Sequence, residues 1–415
     1  MSGDRLGAMQ VAALLVSASY GIGFLFGSGE LAMSHGMAGC LYPWLTGAGM
    51  LLLAFLSARL WRIGMPVWDL FGNRYGAVVK RYVAVLSVIW MTGVLAAQIQ
   101  GAGTTLSMVG VPGTLSLPIV SLAIFVAAWL RLGVASKIFA LCLLAGSIVL
   151  LLAVLDLGGL GIYLHAIPRF ASDLHRVGGS ELATMTIAVV FLVVTGADYQ
   201  QFIIAARSPA AAVAGCALAA VVLIVVGALP ASAVLAASGA GWLAHTDDAK
   251  QAIPLVLAHM SDRLGSGAGT VMLLTLIAAA LGSGAAVVRA MSTAVMAMPE
   301  IAREDAKAPA SAVVVLMGAI VASRGQAIIE TMIDLNIVYI ASIGPLFALL
   351  LLNIAVPPVA AQRALVAGCF SSIALYATKW FGLVTGNVEL MFLGAGMFTS
   401  VLALEVSRRR YARAA

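Results

Sequence analysis

Charged residues are scarce in this chain. Asp, Glu, Lys and Arg make up 10% of its 415 residues, against 62% hydrophobic ones, and the mean hydropathy is +1.07. No water-facing surface of ordinary size can be assembled from that composition, which excludes a soluble globular protein. Cysteine is rare as well. Cys40, Cys142, Cys216 and Cys369 are far apart and mostly within apolar runs, which suits small buried hydrophobes better than a disulfide framework or a metal site. The five histidines, His35, His165, His175, His245 and His259, match no ligand spacing. Nucleotide motifs are missing: there is no G-x-x-x-x-G-K-S/T, and the Gly-x-Gly at 21–23 lacks the strand–turn–helix context that gives such a pair meaning. Neither an enzyme nor a bound organic cofactor is expected.

What the chain does have is apolar length. About twelve runs near the ~20 residues that cross a bilayer fall between residues 8 and 406, the ninth (310–323) being short, and they predict an all-α polytopic membrane protein with 1–415 as a single membrane domain. The net charge is +6, but the basic residues sort by loop instead of forming a patch. That arrangement argues for a lipid bilayer and against nucleic acid. With the N-terminus inside, seventeen of the 23 Lys and Arg lie on the inner side, among them Arg59, Arg62, Arg131, Arg207, Arg303, Arg363 and Arg408. This is the bias of the positive-inside rule, and it predicts both termini in the cytoplasm and a place in the cytoplasmic (inner) membrane of a bacterium. The first inner loop, 62–81, is amphipathic enough for a short surface helix, and two outer loops, 156–181 and 239–267, are long.

Two of the apolar runs are interrupted. Between Tyr20 and Glu30 stand Gly21, Gly23, Gly27 and Gly29, each costing about 1 kcal/mol relative to alanine inside a helix. The sixth run is broken by Thr195-Gly196-Ala197-Asp198-Tyr199-Gln200-Gln201. Unwound backbone persists at membrane depth only where protein or a polar cavity satisfies its freed groups. Breaks in the first and sixth spans predict two five-helix halves of opposite orientation, 8–155 and 183–354, followed by two further helices in 362–406 and a basic cytoplasmic tail, 407–415. The other reading of Gly196 is close helix packing, with the polar residues opening the membrane interface.

Several segments carry a resemblance. Asp69-Leu70-Phe71-Gly72-Asn73-Arg74-Tyr75-Gly76, Ala97-Gln98-Ile99-Gln100-Gly101-Ala102-Gly103, Gln201-Phe202-Ile203-Ile204-Ala205-Ala206-Arg207-Ser208 and Ala278-Ala279-Ala280-Leu281-Gly282-Ser283 are similar, in order, to segments of the sodium:solute symporter family. That family's fold is a LeuT-type inverted repeat of five plus five helices. The resemblance implies Na+ as the coupling ion, bound between the first and eighth spans by the carbonyls of Ser17, Tyr20 and Ala279 and the hydroxyl of Ser283. The chain departs from the pattern at Gly282, where a second hydroxyl is expected, and in the fifth span, where Lys137 replaces an acidic motif. Lys137 either serves a proton-coupled mechanism near that site or snorkels to the inner interface.

A carboxylate within a span costs roughly 2.5–3.5 kcal/mol on insertion scales and marks a functional candidate. Glu30, expected at the start of the outer half-helix, either pairs with an amine, carries a proton or stays at a helix N-terminus with no part in transport. Asp198 is either a proton relay or gate, or an interfacial cap of the inner half-helix. Gln98 either bonds a substrate or a neighbouring helix. The predicted binding set is Gly21, Gly23, Phe24, Glu30, Gln98, Thr195 and Asp198. The expected function is secondary active transport of a small polar organic solute by alternating access, with Na+ or H+ as coupling ion; import is implied by the resemblance alone. Val193 and Val194 disfavour a sugar and leave an amino acid, a carboxylate or a metal-chelating small molecule. The alternative is a transporter-derived sensor or a non-transporting membrane subunit.

Overall fold

The computed structural model describes residues 5–130, 132–244, 246, 248–264, 268–298, 304–325, 328–386 and 388–414. Arg131, Arg303 and His245 lie outside them. The first apolar run is two helices, α1 (Ala8–Ser19) and α2 (Ile22–His35). After α3 (Leu41–Ile63) comes the predicted surface helix, α4 (Val67–Tyr75), pinned to the next helix by Lys80 and Asp69 at 2.9 Å. Then follow α5 (Ala77–Met108), α6 (Gly113–Ala127) and α7 (Leu132–Asp156). The first long outer loop folds into short helices, α8 (Leu160–Leu164) and α9 (Ala166–Asp173).

The sixth run is again two helices, α10 (Gly179–Thr195) and α11 (Ala197–Ile204). The seventh divides as α12 (Pro209–Gly227) and α13 (Leu229–Gly239), a separation at Pro230 that the apolar pattern does not show, because proline is tolerated in a first helical turn. The second outer loop contains α14 (Ala252–Leu264). α15 (Ala268–Ala297), α16 (Lys307–Ala322), α17 (Ile328–Leu351), α18 (Pro358–Trp380) and α19 (Glu389–Ala414) complete the bundle. Among the described residues, eight helical segments are long and apolar enough to cross a membrane, and four shorter apolar helices accompany them. Exposed Phe55, Leu122, Phe370 and Phe398 give the outside of the bundle the apolar character a bilayer requires.

At the bundle's centre, α5 packs on α15, α16 and α17. Its polar residues Gln98 and Gln100 and its Trp90 are buried. One end of the bundle is laced by bonds from predicted inner-face residues. Arg59 donates to Leu351 O (3.0 Å) and Asn353 Oδ1 (3.1 Å), Trp61 donates to Ala206 O (2.7 Å), and Arg363 donates to Ser407 Oγ (3.4 Å). At the same end Leu6, just before α1, pairs with the stretch after α11 through Leu6 N–Ala205 O and Arg207 N–Leu6 O, both 2.9 Å.

Candidate functional site

The first break falls at Tyr20–Gly21. Tyr20 leaves the helical region (φ −87°, ψ 47°) and Gly21 is extended (φ −78°, ψ 178°), while α2 restarts as Phe24 and Leu25 donate back to Gly21 O at 3.1 Å. A helix end leaves its last carbonyls without an intrahelical donor. Here Tyr20 N–H takes Val16 O at 2.6 Å, and the Ser283 hydroxyl of α15 donates to Ala18 O at 3.1 Å. Ser19 spends its own hydroxyl on Leu15 O at 2.8 Å. Gln98 fills the gap between the two half-helices: a Cβ on Gly21 would stand 2.7 Å from its Oε1 and 2.9 Å from Ser283 Cβ. Its Oε1 also accepts Gly23 N–H at 3.4 Å. The absence of side chains at 21 and 23 is what lets the glutamine enter. Tyr20, Phe24 and Tyr42 form an aromatic row beside the break, with centroid separations of 4.9 and 5.4 Å.

The second break is a single extended residue, Gly196 (φ −65°, ψ 122°). Thr195 O, released at the end of α10, accepts the Tyr339 hydroxyl of α17 at 3.0 Å, and Val194 O accepts Gln200 Nε2 at 3.2 Å. Asp198, in the first turn of α11, is 2% exposed, and its Oδ1 has no hydrogen-bond partner among the described residues. The hydroxyls of Tyr42, Tyr199 and Tyr339 lie close enough to interact electrostatically with it. Trp90 packs on Tyr339 (5.7 Å between centroids). Trp90 Nε1, Ser87 Oγ and the Asn336 amide are buried without partners among the described residues. α11 packs on α1, α3 and α15, and Tyr42 of α3 touches the first break's aromatic row while facing Asp198. The two interruptions therefore share one polar neighbourhood.

A cavity of about 510 Å³ runs along the outer halves of both broken spans. Gly27 and Glu30 of α2, Glu181 and Thr184 of α10, and Ile333 and Asp334 of α17 line it, as do Lys379 and Glu389, which pair at 2.5 Å. A larger cleft of about 720 Å³ lies between α6 and α16, is lined almost wholly by apolar side chains and touches neither break.

The structure thus brings together Gly21, Gly23, Gln98 and Ser283 at one break, and Thr195 and Asp198 at the other, with Phe24 between them through Tyr42. Two expectations need correction. Glu30 does not sit at a helix N-terminus: α2 begins at Ile22, so Glu30 lies about two turns further out, where its Oε2 accepts Ile328 N–H at 3.4 Å. Lys137 is exposed, whereas Ser283 is fully buried, which favours the snorkelling alternative. The cation set is matched in part. Ser17, buried at the end of α1, and Ser283 offer oxygens, and a hydroxyl that donates to Ala18 O keeps lone pairs for a cation. Ala279 lies inside α15, one turn before Ser283, where its carbonyl keeps one lone pair beyond the helical bond. Sequence reasoning missed Tyr42 and Tyr339. The available signal for Tyr339 was a run of polar residues, Asp334, Asn336 and Tyr339, in the tenth apolar run.

No protein-family model matches the chain, and no curated protein resembles it in sequence. Solved structures do match its fold. A Na+-coupled sialic acid symporter in a substrate-bound outward-open state superimposes with a TM-score of 0.73 at 14% identity, covering 98% of this chain and 90% of that one. MhsT in complex with L-phenylalanine gives 0.59 at 14% identity, with 98% and 99% covered. Mhp1, a nucleobase-cation-symport-1 family transporter in a closed conformation, gives 0.59 at 15% identity, with 98% and 95% covered. The chain has the LeuT-type fold, with two helices beyond the ten of the repeats.

Proposed function

We propose that this protein is a secondary active transporter that binds a small polar organic solute between its two interrupted helices and carries it by alternating access. The observation that supports the reading best is the pairing of breaks. Each releases main-chain groups from the helical ladder to side chains of other elements (Ser283 and Gln98 at the first, Tyr339 and Gln200 at the second), the two adjoin through α1, α11 and Tyr42, and one cavity follows α2 and α10 away from the breaks. The coupling ion is Na+, held by oxygens of Ser17, Tyr20 and Ser283 where α1 ends against α15; H+ is the other ion to be tested. Ala279 contributes the helix surface that closes this site. Gln98, Gly21, Gly23 and Phe24 shape the solute pocket, Thr195 and Asp198 close its far side, and Glu30 stands in the outer approach. The laced, basic end of the bundle is the cytoplasmic one, with both termini there, the membrane is a bacterial inner membrane, and the direction is import.

The test is reconstitution into liposomes with sodium or proton gradients imposed separately. Uptake of solute that follows one gradient and collapses with its ionophore is expected. Solute movement that ignores both gradients, or none at all from a broad solute panel, sinks coupled transport and leaves the sensor or non-transporting subunit.

A further inference from the structure

The charges around the breaks narrow the solute to one chemical class. Among the described residues Asp198 is the one buried carboxylic acid, 2% exposed and with Oδ1 unpartnered, and it adjoins the second break. The side chains that the packing brings to this region include neutral tyrosines: Tyr199 follows it in α11, Tyr339 of α17 donates to the nearby Thr195 O, and α3, which carries Tyr42, packs on α11. A carboxylate taken out of water either takes up a proton or is matched by a positive charge. The N-terminus of α11 supplies part of it.

The place where an anion would otherwise bind, the N-terminus of α2, is already covered by Gln98, whose Oε1 accepts Gly23 N–H and whose amide fills the space over Gly21. The end of α1 points carbonyls, the negative end of its dipole, at the same gap. The rings of Tyr20, Phe24 and Tyr42 offer π faces of the kind that attract cations. The approach carries four carboxylates, Glu30, Glu181, Asp334 and Glu389, against one lysine, Lys379. Such a mouth concentrates cations and repels anions.

Resting on the transport reading above, we infer that the solute is an organic cation, an amine or ammonium compound without a carboxylate, whose positive charge is held by Asp198. A carboxylate or an amino acid would bring a second negative charge beside Asp198 with its natural anchor at α2 occupied.

The test uses the full-length protein in nanodiscs and three probes on one carbon skeleton, 2-phenylethylammonium, 2-phenylethanol and 3-phenylpropanoate, together with choline and L-phenylalanine. At least one cation is expected to bind about tenfold or more tightly than the neutral, anionic and zwitterionic probes. Asp198→Asn should lower that affinity by about tenfold or more, while Asp198→Glu keeps the preference. Because a change at a buried site can disturb folding, Glu181→Gln at the mouth provides a second measure: it should slow cation association at low ionic strength, and the difference should vanish in high salt. Tighter binding of the carboxylate or zwitterion overturns the inference, as does cation binding indifferent to Asp198→Asn, or no binding by any cation. Liposome uptake separates the two readings. If carboxylates are carried instead, transport stands and the cationic assignment falls; if cations bind but nothing moves under any gradient, the binding assignment stands and transport falls.

Discussion

The two interrupted helices solve the same problem in different ways. At the first break the chain closes most of its own polar accounts: Tyr20 N–H returns to Val16 O, Ser283 takes Ala18 O, and Gln98 takes Gly23 N–H. At the second, Tyr339 and Gln200 satisfy the released carbonyls, but Asp198 Oδ1 is buried with no hydrogen-bond partner among the described residues. A Cβ at the first break would meet side-chain atoms only, of Gln98 and Ser283, whereas one at the second would meet the backbone oxygen of Leu192 as well as Asp198 and Tyr199. In the proposed transporter the first break is the adjustable half of the site and the second the fixed half.

Adding the same methyl group to both breaks tests this contrast most strongly. At Gly196 a Cβ would stand 2.7 Å from both Leu192 O and Asp198 Oδ1 and 2.9 Å from Tyr199 Cδ2, so backbone would have to shift. At Gly21 the nearest atoms belong to the movable Gln98 amide, with Ser283 Cβ at 2.9 Å behind it. Overpacking of this kind costs about 1–3 kcal/mol. Gly196→Ala should fall near the upper end and abolish uptake, whereas Gly21→Ala should lower the melting midpoint less and leave measurable uptake. Equal losses at both positions would erase the proposed difference.

A smaller effect is expected at Ser283. Ser283→Ala removes one hydrogen bond to a freed carbonyl, worth about 1 kcal/mol. If the first break holds the coupling ion, wild-type protein melts higher in sodium than in potassium and the variant does not. A sodium effect of the same size in the variant would move the ion elsewhere. The smallest effect belongs to Lys137, which is exposed: Lys137→Gln should change stability by less than about 0.5 kcal/mol and leave the pH profile of uptake unaltered. A shifted profile would return the lysine to the mechanism.

Much of this architecture could be read from local chemistry. Glycines clustered in an apolar run have few uses other than a break, and a glycine beside Asp198, Tyr199 and Gln200 points the same way, so Gly21, Gly196 and Asp198 were legible, whereas Ser283 came only through the family resemblance. What stayed hidden depends on partners distant in sequence. Glu30 looks like a helix-start residue until α2 is seen to resume at Ile22, and its bond is to Ile328, across most of the chain. The hydroxyl of Tyr339 matters only because Thr195 O is released opposite it. No local pattern announces which tyrosine in an apolar helix meets a broken one. The division at Pro230 escaped for a related reason: a proline in a first turn leaves hydropathy unchanged.

The two main-chain bonds joining Leu6 to the stretch Ala205–Arg207 act as a mechanical coupling. They fasten the segment before α1 to the end of α11 as a single lever, so in the proposed transport cycle either the pair swings as one or the clasp must be unfastened first.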